Sequence, residues 1–470
     1  MRHISTRGEA PAIGFTDALL TGLARDGGLY VPETYPAFVE SQIAAFAGRS
    51  FADVAKEVMG ALVEGEIERP ALDGMIEEAY ATFRHPATCP LTQIDDNLFV
   101  LELFHGPTLA FKDVAMQLLG RLMDHVLKAR GQRATIVGAT SGDTGSAAVE
   151  AFSGLDQVDV FILFPQGRVS EVQRRQMTTV AAPNVHAIAL EGTFDDCQAI
   201  VKGMFTHARF RDELLLSGVN SINWARVAAQ ATYYFTAAVS LGGPHRPIAF
   251  SVPTGNFGDI LAGDIARRMG LPVAELVIAS NANDILPRTL ETGAYTVTGV
   301  TPTTSPSMDI QVSSNFERLL FELYDRDAAA IRGLMGQLAQ ARGFAVAEAP
   351  LASLRRTFSA EAVPEDAVAA EIGRTWREAG YLLDPHTAIG VVAGRAALSR
   401  EPATPVVALA TAHPAKFPDA VEAASGVRPP LPAHLADLYD RPERFEVQPN
   451  DQGAIERFIR ARSRIPGARA

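Results

Sequence analysis

A lysine in an apolar turn is the residue of this chain best suited to covalent chemistry. Lys112 ends the stretch His105-Gly-Pro-Thr-Leu-Ala-Phe-Lys112, in which three apolar residues come directly before it. Burial of an ammonium group is costly and lowers its pKa, so more of the amine is unprotonated and able to attack an aldehyde. Only five of the 42 basic residues are lysines, which favours a role here that arginine cannot fill. A lysine that extends its head group into solvent from the start of a helix would also fit this turn.

The second motif is a polar loop between a predicted strand and a predicted helix. It reads Thr140-Ser-Gly-Asp-Thr-Gly145 and contains Ser141, Gly142, Asp143 and Thr144. Hydroxyls and backbone N–H groups at the start of a helix can bind an anion. The loop is not a P-loop, because no Gly-Lys-Ser/Thr closes it. An ordinary strand-to-helix loop with a capping residue would look the same.

A glycine-containing loop forms the third motif and also follows an apolar strand. It reads Pro253-Thr-Gly-Asn-Phe-Gly-Asp259; its candidate residues are Gly255, Asn256, Phe257, Gly258 and Asp259. Glycines allow several N–H groups to converge on a phosphate. The glycine spacing does not match the dinucleotide-binding fingerprint. A tight structural turn is the alternative.

The fourth motif, Thr411-Ala-His-Pro-Ala-Lys-Phe417, comes at the end of another predicted strand. Ligands of open α/β sheets bind outside the carboxyl ends of the strands. Thr411 would place a hydroxyl in that crevice, and Lys416 would add a cation at its mouth. A surface turn that carries a solvated lysine is the commoner arrangement.

Alternating strands and helices are predicted to position these loops. Near-continuous apolar strands followed by helices favour parallel sheets that are covered on both faces. The predicted strands are 98–103, 134–137, 158–164, 185–190, 247–252, 275–279 and 406–410. We divide the chain into a mostly helical region (1–92), a smaller α/β lobe with Lys112 (93–245), a larger α/β lobe with the glycine loop (246–430) and a peripheral segment (431–470).

Composition excludes several classes of function. The net charge of -12 argues against a nucleic-acid partner. Two cysteines without metal-ligand spacing favour a reducing compartment, and His105 and His386 also lack such spacing, so we expect no metal. No apolar run is long enough for a membrane span, and no secretory signal is visible. We therefore expect a soluble cytoplasmic protein without a membrane partner.

Together the four motifs would supply what pyridoxal 5′-phosphate needs. That cofactor requires a lysine for its aldehyde, N–H groups for its phosphate and a partner for its ring nitrogen. One crevice between two lobes could hold all three.

The chain resembles the long bacterial and fungal threonine synthases, which are fold-type II pyridoxal-phosphate enzymes with a tryptophan synthase β-like architecture. The resemblance covers nearly the full length. The matching motifs are Asp26-Gly-Gly-Leu-Tyr-Val-Pro32, Leu103-Phe-His-Gly-Pro-Thr-Leu-Ala-Phe-Lys-Asp113, Thr140-Ser-Gly-Asp-Thr-Gly145, Asn220-Ser-Ile-Asn223, Val252-Pro-Thr-Gly-Asn-Phe-Gly-Asp259 and Thr411-Ala-His-Pro-Ala-Lys-Phe417.

The resemblance implies a role for each motif. Lys112 matches the lysine that forms a Schiff base with the cofactor and moves protons. Residues 255–259 match the phosphate loop, and Thr411 matches the hydroxyl that faces the ring nitrogen. Residues 141–144 match the loop that meets the substrate carboxylate, and Lys416 is expected to bind the substrate phosphate.

The implied reaction converts O-phospho-L-homoserine and water to L-threonine and phosphate, the last step of threonine biosynthesis. A phospholyase acting on a related phosphorylated amine would carry the same loops. A catalytically silent relative that binds the cofactor is a third possibility, against which Lys112 argues. The sequence leaves open whether the chain is a monomer or a homodimer.

Overall fold

The computed structural model describes residues 1–466 and has an α/β architecture. Its strands are β1 Arg2–Ser5, β2 Ile13–Gly14, β3 Tyr30–Pro32, β4 Leu91–Asp95, β5 Leu98–Glu102, β6 Ala134–Ala139, β7 Val158–Pro165, β8 Val185–Glu191, β9 Leu216–Ser217, β10 Ile248–Pro253, β11 Val273–Ser280, β12 Ala294–Thr296, β13 Gly343–Ala345, β14 Phe358–Ala362, β15 Val406–Ala410 and β16 Glu446–Pro449. Its α-helices are α1 Phe15–Thr21, α2 Glu40–Ala44, α3 Phe51–Val63, α4 Arg69–Tyr80, α5 Lys112–Ala129, α6 Asp143–Phe152, α7 Glu171–Thr178, α8 Phe194–Thr206, α9 Ala208–Glu213, α10 Trp224–Ser240, α11 Gly258–Arg268, α12 Ile285–Thr292, α13 Phe316–Leu323, α14 Ala328–Ala341, α15 Glu348–Thr357, α16 Glu365–Ala379, α17 Pro385–Arg400, α18 Pro418–Ser425 and α19 Gln452–Arg462.

Two open sheets form the two lobes. One sheet has the strand order β16-β8-β7-β6-β9, and all of its pairs are parallel. The other has the order β14-β11-β10-β15-β5-β4 and is parallel except for β4. The strands β7, β10 and β15 are buried along their whole length and are apolar apart from Asp159 in β7 and Ser251 in β10, as is typical of sheets covered on both faces. The predicted α/β fold class is confirmed.

Two segments pair with strands that are distant in the sequence. The hairpin β4–β5 joins β15, so residues 91–102 belong to the sheet of the second strand–helix block. Near the other end of the chain, β16 extends the first sheet beside β8, and Ile455 and Ile459 of α19 are fully buried in its core. The division at residues 92, 245 and 430 stays a prediction.

The N-terminal region contains strands as well as the expected helices. Strands β1, β2 and β3 form a small antiparallel sheet, in which His3 pairs with both Ile13 and Pro32. Helices α3 and α4 bury one apolar face each. Among residues 1–466, no helix is both long and apolar enough to cross a membrane.

The crossing of α5 and α6 positions two of the site loops and depends on Gly120. A Cβ built on Gly120 would lie 2.6 Å from the carbonyl oxygen of Ala151 on α6. Because a backbone oxygen cannot rotate away, we expect Gly120→Ala to destabilise the protein by about 1–3 kcal/mol and to lower its thermal unfolding midpoint. Gly333→Ala in α14 is the matched control. Its Cβ meets no atom within 4 Å, so it should be neutral or stabilising by up to about 1 kcal/mol. Equal midpoints for the two variants would contradict this account of the crossing.

Candidate active site

The carboxyl ends of both sheets open into one cavity of about 950 Å³. Its lining contains ten of the twelve residues predicted for the site: Lys112, Ser141, Asp143, Thr144, Gly255, Asn256, Phe257, Gly258, Asp259 and Thr411. The other two, Gly142 and Lys416, are buried and do not line the cavity. The structure therefore brings all four predicted motifs to one place.

The turn before Lys112 is held by its own side chains and by the loop after β15. Both oxygens of the Asp113 carboxylate accept hydrogen bonds from Thr108, one from the backbone N–H and one from the hydroxyl, each at 2.7 Å. The N–H of Phe111 donates to the carbonyl of Thr411 at 2.8 Å. Leu109 has a left-handed backbone (φ 62°) and packs in a buried cluster with apolar side chains of α7 and of residues 435–438. Lys112 thus begins α5 at a defined position.

The amine of Lys112 is buried, with the Asp143 carboxylate beside it and the charges of Lys416 and Arg226 close enough to affect it. It is 7% exposed, lies 4.6 Å from the centre of the Phe111 ring and is 3.5 Å from Oδ2 of Asp143. Burial lowers the pKa of Lys112; Asp143 raises it, and the charges of Lys416 and Arg226 lower it further. The net direction is downward, which favours the unprotonated and nucleophilic amine.

Asp143 connects the lysines to the cavity wall. Its Oδ1 lies 2.9 Å from the ammonium of Lys416 and accepts a hydrogen bond from Gln173 at 2.9 Å. Its Oδ2 accepts from the Ser307 hydroxyl at 3.0 Å. Burial alone would raise the pKa of Asp143, but Lys416 and Lys112 hold it well below the usual range. Asp143 is therefore an ionised carboxylate in a buried site.

The second motif needs Gly142 for a steric reason. Gly142 has φ 141°, and a Cβ there would lie 2.3 Å from Cδ of Gln173. The Thr140 hydroxyl accepts the N–H groups of Gly142 and Gly145, each at 2.9 Å. These contacts fix the first turn of α6, whose free N–H groups favour an anion.

The glycine loop forms a close-packed cradle at the start of α11. A Cβ on Gly255 would lie 2.9 Å from the Ser307 carbonyl oxygen, and Phe257 has a left-handed backbone (φ 61°). The Asn315 side chain donates to the carbonyls of Asn256 and Ser221, each at 3.0 Å. This clamp leaves N–H groups of the helix start available for an anion.

Asp259 has a different environment from the rest of this loop. Its Oδ1 accepts hydrogen bonds from the hydroxyls of Tyr233 and Tyr234. Burial raises its pKa to about 7, against the opposing effect of both tyrosines. A phosphate would therefore contact the N–H groups around Asp259 rather than its carboxylate.

Sequence reasoning missed Arg226 as a site residue. It is 4% exposed and lines the cavity. Its Nη1 donates to the Val219 carbonyl at 2.9 Å, whereas its Nε has no hydrogen-bond partner within residues 1–466. Burial lowers the pKa of Arg226 to about 10, so it stays charged at neutral pH. Its position three residues after the quoted motif Asn220-Ser-Ile-Asn223 was the available signal.

The long loop predicted at 293–314 forms one wall of the cavity. It contains β12 and a 3₁₀ turn at Pro306–Met308. Asp309 accepts hydrogen bonds from Asn281, Asn283 and Thr303 beneath this loop. The buried network holds Ser307 where it reaches Asp143.

The two histidines noted in the sequence have different surroundings. His105 contacts Glu102 at 2.6 Å and is not part of the cavity lining. His386 lines the cavity, and its Nδ1 lies 2.8 Å from Asp384. Within residues 1–466, no group of acidic, histidine and cysteine side chains has the arrangement of a metal site.

The donor set of the cavity fits a phosphate-bearing aldehyde. It combines one buried amine, two helix starts and a buried guanidinium with an unused N–H group. Comparison with known proteins agrees with this chemistry: residues 86–346 match the family described as pyridoxal-phosphate dependent enzyme. The fold and site thus define a pyridoxal-phosphate-dependent enzyme of fold type II.

Two further family matches identify the family within this class of enzymes. Residues 2–80 match the description "Threonine synthase N terminus", and residues 387–459 match "Threonine synthase, C-terminal". The chain belongs to the threonine synthase family, as the sequence motifs predicted.

Individual relatives cover the chain from end to end. A threonine synthase of Pseudomonas aeruginosa is 53% identical over 98% of both chains. The crystal structure of a pyridoxal-phosphate-bound threonine synthase from Brucella melitensis superposes with a TM-score of 0.96 at 61% identity and covers 99% of this chain and 100% of its own. The yeast threonine synthase structure has a TM-score of 0.93 at 38% identity and covers 98% of both chains.

Proposed function

We propose that the protein converts O-phospho-L-homoserine and water to L-threonine and inorganic phosphate, with pyridoxal 5′-phosphate held at Lys112. One observation carries the proposal: a buried amine and a buried guanidinium, Lys112 and Arg226, line the same cavity. The first suits an aldehyde, and the second suits the phosphate of a substrate. The full-length similarity to threonine synthases supports the same reaction.

The cofactor would be held at three points. The amine of Lys112 would bind the aldehyde, and the loop from Gly255 to Asp259 would receive the phosphate at the start of α11. The Thr411 hydroxyl would face the ring nitrogen. When bound, the cofactor would supply an electron-withdrawing ring that stabilises negative charge on the substrate carbon next to the amine.

The substrate would be bound by the opposite side of the cavity. Ser141 and Thr144, at the start of α6, would meet its carboxylate or phosphate through hydroxyl and N–H groups. Arg226 would pair with the phosphate and stabilise its charge as it leaves. The role of Lys416 as a direct ligand of the substrate phosphate also stays a prediction, and its ammonium lies against Asp143 and the Thr108 carbonyl, outside the cavity lining.

Lys112 would then move the protons. When its amine is not bonded to the cofactor, it would lie in the cavity as a base for the proton on the α-carbon and would later act at the β-carbon. The wall formed by residues 297–312 would limit the access of water until the phosphate has left.

A phospholyase would use the same residues and release phosphate without threonine. We therefore propose an assay of phosphate release from O-phospho-L-homoserine, with the organic product identified by chromatography. Equal amounts of phosphate and threonine support the proposal. Phosphate with 2-oxobutanoate indicates the phospholyase, and the absence of turnover by cofactor-loaded protein indicates another substrate or a silent relative.

The mouth of the cavity carries exposed cations in a protein of net charge -12. Arg168, Lys202 and Arg342 are exposed and line the cavity. We expect Arg168→Glu plus Lys202→Glu to lower kcat/KM for the phosphorylated substrate about tenfold at low salt, because local charge concentrates anions. The difference should shrink as salt is raised toward about 0.5 M. Steady-state kinetics across this salt range test the expectation. Arg209→Glu plus Arg428→Glu, exposed and outside the cavity, makes the same change in net charge, and an equal loss there would refute steering by the mouth.

A cytoplasmic location remains part of the proposal. Both cysteines, Cys89 and Cys197, are buried free thiols, as is usual in a reducing compartment. A monomer or a homodimer is equally compatible with the cavity, since every proposed site residue comes from this one chain.

A further inference from the structure

Lys416 is a fully buried lysine that faces the back of the active-site carboxylate. Its side chain is 0% exposed, and its Nζ lies 2.9 Å from Oδ1 of Asp143. The same Nζ donates to the Thr108 carbonyl at 2.8 Å. A buried ion pair contributes little net stability, because desolvation offsets the attraction. The pair therefore suggests a function other than stability.

The carboxylate of Asp143 lies between two ammonium groups. Oδ1 faces Lys416 at 2.9 Å, and Oδ2 faces Lys112 at 3.5 Å. Within residues 1–466, these are the two ion pairs of Asp143. If Lys416 were absent, Lys112 would be the cation left to neutralise a buried negative charge.

We propose that Lys416 is a positioning residue that serves as the standing counter-ion of Asp143 and so leaves the Lys112 amine free to lose its proton. The inference rests on the proposed function only in requiring that Lys112 bind an aldehyde as a neutral amine. Lys416 itself would touch neither substrate nor cofactor.

Charge balance explains the effect. A lone carboxylate at 3.5 Å would stabilise Lys112 as an ammonium ion, which cannot attack an aldehyde. With Lys416 in place, the Asp143 charge is already paired through its nearer oxygen. Asp143 raises the pKa of Lys112 and Lys416 lowers it, in addition to the lowering by burial.

Other groups face this pair from the surrounding elements. Arg226 of α10 also lowers the pKa of Lys112. Asp259 of α11 has a pKa of about 7, raised by burial, and the charge of Lys112 acts to lower that pKa. His386 of α17 acts on Asp143. None of these three forms an ion pair with Asp143 within the described part of the chain, so the counter-ion role belongs to Lys416.

The test measures the pH dependence of cofactor uptake by the full-length protein after its cofactor has been removed. The rate of pyridoxal 5′-phosphate binding is followed by absorbance from about pH 6 to 10. In Lys416→Met, we expect the midpoint of the profile to rise by about one pH unit or more, so that uptake below the midpoint slows about tenfold. Lys56→Met, at a lysine paired with Asp53 and Glu77, is the matched control and should keep the native midpoint.

Three further variants test the same counter-ion role of Lys416. Lys416→Arg retains the charge and should stay near the native midpoint. Asp143→Asn removes the negative charge and should move the midpoint downward, and Asp143→Asn with Lys416→Met should return it to within about half a unit of native. These variants answer the question even if Lys416→Met alone does not fold.

Two results would overturn the proposal. An unchanged uptake profile in Lys416→Met would remove the counter-ion role, and a higher KM for the phosphorylated substrate in the same variant would then make Lys416 a direct substrate ligand. A double variant with the same displaced midpoint as Lys416→Met would make the effect one of packing. Because uptake involves no substrate, the uptake profiles do not depend on which compound the enzyme turns over.

Discussion

Lys112→Ala is expected to lower kcat for threonine formation by about 10⁴-fold or more. The variant loses both the amine that binds the cofactor and the base that moves protons at two carbons. Phosphate release and threonine formation, measured with saturating cofactor, give the size of the loss. In the native protein, borohydride reduction should leave the cofactor mass on the peptide that contains Lys112, and in the variant it should not.

Chemical rescue separates loss of the amine from loss of the fold. A small primary amine such as methylamine should restore part of the activity of Lys112→Ala, more strongly at alkaline pH where the amine is unprotonated. Lys56→Ala, far from the cavity, should retain native kcat. Retention of more than about 1% of native activity by Lys112→Ala without added amine would remove Lys112 from the proton transfers.

Arg226→Met is expected to raise KM for the phosphorylated substrate by about 30- to 100-fold. A hydrogen-bonded pair with a charged group contributes about 2–3 kcal/mol, and Arg226 is a buried cation that lines the cavity. Steady-state kinetics give KM, and inhibition by inorganic phosphate gives an independent measure of the same contact. Both constants should rise by similar factors.

Arg226→Lys is the matched variant for this contact. It keeps a positive charge but loses the planar pair of donors, so we expect a smaller rise of about tenfold. Native values of both KM and the phosphate inhibition constant in Arg226→Met would place the substrate phosphate elsewhere in the cavity.

The strand-end loops were predictable because parallel sheets leave a simple signature. Buried strands such as β7 and β15 are continuous or near-continuous apolar runs, with Asp159 the one charged residue of β7, and the carboxyl ends of parallel strands must lie along one edge of a sheet. The placement of Lys112 and Thr411 in one cavity follows from those two facts. The family motifs then identified the cofactor, which the family match confirms.

The charges of the site were less predictable. The contacts of Lys416 with Asp143 and of Ser307 with Asp143 join residues that are 273 and 164 positions apart. Local sequence carries no information about such pairing. Lys416 was therefore expected at the mouth of the crevice, whereas the structure buries it. Arg226 was missed for a related reason, because an arginine in an apolar helix reveals neither its neighbours nor its unused N–H group.

The strand pairings determine which segments of the chain must be synthesised before each of the two sheets can be completed. The edge of β8 stays unpaired until β16, at residues 446–449, has left the ribosome, and β5 must wait for β15 at residues 406–410. One lobe therefore cannot be completed before residues 406–410 have been made, and the other cannot be completed before residues 446–449 have been made. Exposed strand edges are sites of aggregation. A nascent chain that stalls before residue 446 would carry an unpaired β8 edge on the lobe that holds Asp143, open to pairing with another chain.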